Sequence, residues 1–265
     1  MTLLSHPRRR AGTALAVLVA VTALLFGSSI AAEAAPTEPT VAKLVALGDS
    51  YAAGQGAGAA LDACLRTSAA YPVLLDAAPK LNLLRTGACS GATISDVMST
   101  QLSQINRGTT LVTLTVGAND VGAGSVYAAC APDPDAPVCY QALAAAEAAL
   151  SEIPAQTAEL VRAIAERAPK AEIVVTDYPI PFRADINPLL NAVNGYTHAL
   201  NLALAAGASS TGANVTVVGV EARFLGHAVG DPDPWLGGDP TDLITFLHPT
   251  TAGQAAYAAA ILAAL

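Results

Sequence analysis

Val41-Ala42-Lys43-Leu44-Val45-Ala46-Leu47 runs straight into Gly48-Asp49-Ser50, and this junction decides the fold. The run is short, carries one charge and lacks polar alternation. Such a run reads as a strand covered on both faces, as in a parallel sheet. Gly48 stops it and the chain turns toward a helix, with a serine at the turn. Four further runs have the same character, at 81–86, 110–116, 171–176 and 214–220. Alanine-rich stretches at 94–105, 141–167, 188–206 and 250–265 fill the gaps and read as helices. The second carries Leu143, Leu150, Ile153, Leu160, Val161 and Ile164 on one face. Pro154 inside it predicts a kink or a break. The alternation predicts an α/β fold: a three-layer α/β/α sandwich around a central, mostly parallel five-stranded sheet. Ligands of such sheets bind beyond the carboxyl ends of the strands. Aromatic residues make up only 5% of the chain, so small aliphatic side chains must pack the core.

The first residues stand apart from this pattern. Arg8, Arg9 and Arg10 precede an apolar, uncharged run from 14 to 26, and Ala32-Glu33-Ala34 is an A-x-A cleavage signal. Residues 1–34 therefore read as a secretory signal peptide. An uncleaved anchor is the competing reading, but the run is short for a membrane span. The arginines support a twin-arginine route only weakly. Residues 35–40 form a short lead-in, and 41–265 one domain. The chain has 13 basic and 21 acidic residues. Loss of residues 1–34 leaves ten and twenty, a charge of −10. That balance excludes nucleic acid as a partner and repels anionic headgroups at long range. An exported monomer with no stable membrane insertion is expected.

Four cysteines, Cys64, Cys89, Cys130 and Cys139, behind an export signal read as two disulfides. Three pairings are possible. Cys64–Cys89 with Cys130–Cys139 closes the shortest loops and is the expected one. A zinc site lacks a C-x-x-C pair and a neighbouring histidine.

Three more segments carry chemistry. Ser90-Gly91-Ala92-Thr93 follows the second strand, Gly117-Ala118-Asn119-Asp120 the third, and His248-Pro249 opens the last helix. A serine at a strand tip and a histidine able to reach it are the minimum for nucleophilic acyl transfer. A glycine lets backbone approach a substrate without a Cβ in the way. A side-chain amide donates to a developing oxyanion while staying neutral. Each segment also has an ordinary reading: Ser50 as a helix N-cap, Gly91 as a turn glycine with Gly87 as its rival, Asn119 in an Asx turn. Taken together and in this order, the four resemble the sequence blocks of the SGNH/GDSL hydrolases, a family of serine esterases and lipases with secreted bacterial members. The resemblance covers essentially the whole of 41–265. It implies Ser50 as nucleophile and His248 as general base and then acid. It implies an oxyanion hole from the Ser50 N–H, the Gly91 N–H and the Asn119 amide. No cofactor or metal is implied. His198 and His227 read as surface and loop histidines.

One departure from the family pattern stands out. The family usually carries an aspartate three residues before the histidine, where this chain has Thr245. Thr245 cannot supply the charge that orients and stabilises an imidazolium. Some members resembling this chain use a backbone carbonyl there, so the Thr245 carbonyl is the expected partner of His248 Nδ1, with Asp242 as its rival. The Pro-, Gly- and Asp-rich stretch 231–246 reads as a long loop beside His248. Its Trp235, Leu236 and Phe246 either line an acyl pocket or pack into the body. Residues 127–140 are a second candidate wall. The reading is a secreted ester hydrolase acting on a small-molecule or lipid ester. Carbohydrate O-acetyl esterase and phospholipase are alternatives on the same machinery. A non-catalytic wall- or lipid-binding protein is the alternative from another class.

Overall fold

The structure, a computed structural model, describes residues 41–184 and 186–265. The expected signal peptide (1–34) and lead-in (35–40) lie outside the described residues. Five strands form one all-parallel sheet: β1 (Ala42–Gly48), β2 (Leu81–Thr86), β3 (Leu111–Thr115), β4 (Glu172–Thr176) and β5 (Val215–Val218). Their order is β2-β1-β3-β4-β5. Successive side chains of a strand face opposite ways, and β1 shows it. Val45 and Leu47 join Val112, Leu114, Ile173 and Val175 on one side. Leu44 joins Leu111, Val174 and Val218 on the other. Both faces are covered, which explains the unbroken apolar runs in the sequence.

The helices are α1 (Ser50–Ala53), α2 (Tyr71–Asp76), α3 (Ile94–Asp96), α4 (Ala123–Cys130), α5 (Pro137–Arg167), α6 (Pro188–Ser209) and α7 (Thr251–Leu262). On the first face α5 contributes Ile153, Leu160, Val161 and Ile164, and α6 contributes Leu200 and Leu204. On the second, Tyr71 of α2 stacks on Tyr257 of α7 with ring centroids 5.5 Å apart. Two expectations need correction. Pro154 does not split α5, which runs unbroken for 31 residues. Burial of its apolar face outweighs the one hydrogen bond that proline forfeits. The packing there is tight: a Cβ on Gly207 of α6 would lie 2.5 Å from the Pro154 carbonyl oxygen. The stretch 94–105 is not a uniform α-helix, since α3 widens into a π-turn at Val97–Gln101 and tightens into a 3-10 turn at Leu102–Gln104. Helices α2 and α4 carry no sequence expectation at all.

In a 2-1-3-4-5 sheet, β1 connects to β2 on one side while β3 lies on the other. The connections therefore diverge between β1 and β3, and a crevice opens beyond their carboxyl ends. Ser50 lies just past β1 and Asn119 just past β3, so the topology alone sets both at that crevice. Disulfides Cys64–Cys89 and Cys130–Cys139 are both formed. The first ties the loop after α1 to the loop after β2. The second ties α4 to α5.

Candidate active site

The turn after β1 is built for close approach. Gly48 has φ +135°, and a Cβ there would lie 2.1 Å from the carbonyl oxygen of Thr115 on β3. Only glycine tolerates both conditions. Gln101 clamps this glycine, donating to its carbonyl at 2.9 Å and accepting its N–H at 2.8 Å. Asp49, not Ser50, is the N-cap of α1, and its carboxylate accepts the Tyr51 N–H at 2.9 Å. Ser50 is thereby the first helical residue, and its N–H has no hydrogen-bond partner among the described residues. Asp49 is fully buried and accepts from the Tyr178 hydroxyl at 2.5 Å. Burial pushes its carboxyl up to about 7, which favours the uncharged acid beneath Ser50.

His248 Nε2 lies 3.0 Å from Ser50 Oγ, across 198 residues of sequence. The residue before it explains the approach. Leu247 has φ +59°, a left-handed conformation that costs a non-glycine residue roughly 1–3 kcal/mol. The surroundings enforce it. The Leu247 N–H donates to the Gly237 carbonyl at 2.8 Å, and the Leu247 carbonyl accepts from the Tyr51 hydroxyl at 2.6 Å. This kink swings the imidazole toward α1.

The kink also changes which group faces Nδ1. The Thr245 carbonyl accepts the peptide N–H of His248 at 2.9 Å rather than its ring. The backbone carbonyl that favours the protonated ring belongs to Phe246, and Gln55 Nε2 lies 3.3 Å from Nδ1. With Nε2 facing Ser50, the contact with the Phe246 carbonyl falls to Nδ1. The expected orienting carbonyl is therefore displaced by one residue, because 245–248 is not regular backbone. Asp242 does not reach the ring. Its carboxylate accepts from the Thr245 hydroxyl at 2.7 Å and the Ile244 N–H at 3.1 Å, at an exposed position. Asp242→Asn should thus keep kcat within about tenfold of wild type, because loss of a true triad aspartate costs about 10⁴. Steady-state kinetics on the folded variant decides the matter, and a thousandfold loss would install Asp242. Burial drives the His248 imidazole down to about 4, and the Phe246 carbonyl opposes the shift.

Two loops complete the crevice. Gly91 has φ +78°, is exposed, and has open space where a Cβ would point. Its N–H is also without a partner among the described residues. Asn119 Nδ2 gives one N–H to the Ala92 carbonyl at 3.0 Å, leaving the second for a ligand. Asp120 accepts the Ile94 N–H at 3.0 Å, and with Asn119 it ties the loop after β3 to the loop after β2.

Beside Ser50, Asn119 and His248 opens a largely apolar cavity of about 450 Å³. Its walls include Val126 and Tyr127 of α4, Leu150 of α5, Val193 and Leu200 of α6, and Phe246. Phe246 and Tyr127 close one side ring to ring, 4.8 Å apart. Of the three large residues expected in the 231–246 loop, only Phe246 lines this cavity. Leu236 is buried in the body, and Trp235 packs on Phe224. Residues 127–140 contribute Tyr127 and Ala128. His198 pairs with Glu221, and His227 stacks on Trp235 at 3.5 Å; neither lines the cavity.

A profile of the GDSL-like Lipase/Acylhydrolase family matches residues 46–256. The chain belongs to this family. A lipase of Streptomyces rimosus is 34% identical over 257 residues, covering 93% of this chain and 94% of the relative. The crystal structure of the extracellular lipase from Streptomyces rimosus superposes with a TM-score of 0.77 at 32% identity, over 84% of this chain and all of that one. Phospholipase A1 from Streptomyces albidoflavus NA297 gives 0.79 at 31% identity, over 85% of this chain and all of that one. The protein is a GDSL-family serine ester hydrolase with the α/β/α fold expected from its sequence.

Proposed function

We propose that the protein hydrolyses carboxylic esters of apolar acyl chains through an acyl-enzyme on Ser50. The observation that carries this reading is the 3.0 Å approach of His248 Nε2 to Ser50 Oγ at the edge of the apolar cavity. His248, with its Nδ1 proton given to the Phe246 carbonyl, accepts the Ser50 proton as Oγ attacks the ester carbonyl. The Ser50 N–H, the Gly91 N–H and the free Asn119 N–H hold the oxyanion. The imidazolium then protonates the leaving alcohol. Water, deprotonated by His248, attacks the acyl-enzyme, and the serine is restored. The acyl chain lies among the side chains of α4, α5 and α6, where its burial supplies roughly 0.8 kcal/mol per methylene.

That lining favours a hydrocarbon chain over an acetyl group on a sugar, whose hydroxyls would find few partners there. The likeness to a phospholipase A1 keeps a phospholipid as a second substrate reading. Phosphatidylcholine vesicles with product analysis separate it from simple glycerides. We further propose export with removal of residues 1–34. Two disulfides support an oxidising destination. Among the described residues no helix is long and apolar enough to cross a membrane. The test of the catalytic reading is labelling by a fluorophosphonate, with the adduct mapped to Ser50, beside a p-nitrophenyl ester panel from acetate to palmitate. The expected result is one adduct on Ser50 and kcat/KM that rises from acetate toward longer chains. No adduct, or a preference for acetate, sinks it.

A further inference from the structure

Gln55 lies two residues past α1, buried to 5% exposure, in the Gly54-Gln55-Gly56 turn. Its amide touches three separate parts of the crevice. Oε1 accepts the Ser90 hydroxyl at 2.5 Å, next to Gly91. Nε2 donates to the Ile244 carbonyl at 3.0 Å and lies 3.3 Å from His248 Nδ1. The Ile244 carbonyl can only accept, so it fixes which end of the amide is nitrogen. The nitrogen therefore also faces the imidazole. The backbone here has no slack, since a Cβ on Gly56 would lie 2.8 Å from His248 Cβ.

We propose that Gln55 is the positioning residue of this site. One amide fastens the helix of the nucleophile to the Ser90–Gly91 loop and, through the Ile244 carbonyl, to the His248 loop, and sets its nitrogen beside Nδ1, with no hydrogen bond to the protonated Nδ1, where a triad presents a carboxylate. This rests on the Ser50–His248 reading above. The groups around the ring fit the role. Tyr51 of α1 packs against it at 5.8 Å, and its hydroxyl is bonded to Leu247. Asp49 is bonded to Tyr178, and Asp242 to Thr245. Among the described residues no carboxylate meets the imidazole, and a neutral amide holds its place. An amide nitrogen there gives an imidazolium no support, and burial holds the proton affinity of the ring low.

Two substitutions test this in the mature enzyme, read beside Ser50→Ala. Gln55→Met keeps the length and removes every polar contact. It should lower kcat at least tenfold with KM within about threefold, since small misplacements of reacting groups cost rate rather than binding. Gln55→Glu keeps the acceptor for Ser90, gives up the donor to the Ile244 carbonyl, and sets a carboxylate against Nδ1. An opposite charge at that range raises an imidazole by about 1–3 pH units. The acid limb of kcat/KM should therefore move up by at least one unit from its wild-type position. A purely structural role would not move that limb. Wild-type kcat in Gln55→Met, or an unmoved limb in Gln55→Glu, overturns the proposal. If either variant fails to fold, Ser90→Ala decides. Its half-buried hydroxyl is cheap to lose, and kcat should fall severalfold; an unchanged kcat overturns the proposal. An active Ser50→Ala instead removes the catalytic reading itself, so the two failures are distinct.

Discussion

Ser50→Ala should abolish ester hydrolysis and leave the fold intact. The change removes one oxygen from a residue whose backbone is set by Asp49 capping α1 and by the Gly48 turn, so secondary structure and thermal midpoint should stay close to wild type. With Oγ gone, no acyl-enzyme forms. Loss of the nucleophile in a serine hydrolase costs about six decades in kcat. Residual turnover above roughly a thousandth of wild type would mean another group attacks the ester. The assay needs a chromogenic ester, a matched circular dichroism spectrum and a fluorophosphonate control that labels wild type alone.

Asn119→Ala should lower kcat by about 10²–10³ with little change in KM. One N–H of the amide is committed to the Ala92 carbonyl, which leaves the other aimed into the crevice. A donor that meets charge only as it develops acts in the transition state, and its loss costs roughly 2.7–4 kcal/mol. The Ala92 contact is lost too, so the loop after β2 must be checked. A change confined to KM would assign Asn119 to ground-state binding or to the turn alone. Since Asp120 independently holds that loop through the Ile94 N–H, Asp120→Asn separates the two effects. It perturbs the tether while keeping the Asn119 donor.

The strands were legible because parallel strands buried on both faces need continuous apolar residues, and β1, β3 and β4 have them. The strand ends were legible for the same reason, since glycine, asparagine and proline cluster where burial stops. Helices α2 and α4 were not. Each is short, and α4 opens on Gly122 in a left-handed turn without a side-chain cap, so no capping signal marks it. At the site, Ser50 and Asn119 stood out by residue type at strand ends, and His248 by its place before the last helix. The partner of Nδ1 did not. Counting back three residues from His248 assumes ordinary backbone, whereas Leu247 is left-handed, and nothing about a leucine announces that. Gln55 escaped because its meaning is nonlocal: its partners sit 35 and 189 residues further along the chain. Only the folded sheet brings them together.

The proposed reacting groups stand at the ends of β1, β2 and β3 and before α7, whereas most of the apolar wall hangs from α4, α5 and α6. Inheritance can act on the two separately. A larger side chain at Ala146 or a smaller one at Leu150 re-cuts the cavity from a wall that carries neither Ser50 nor His248. Descendants of such a chain can drift among substrates at a nearly constant turnover chemistry, and a breeder of new variants would randomise the helices and leave the strand tips alone.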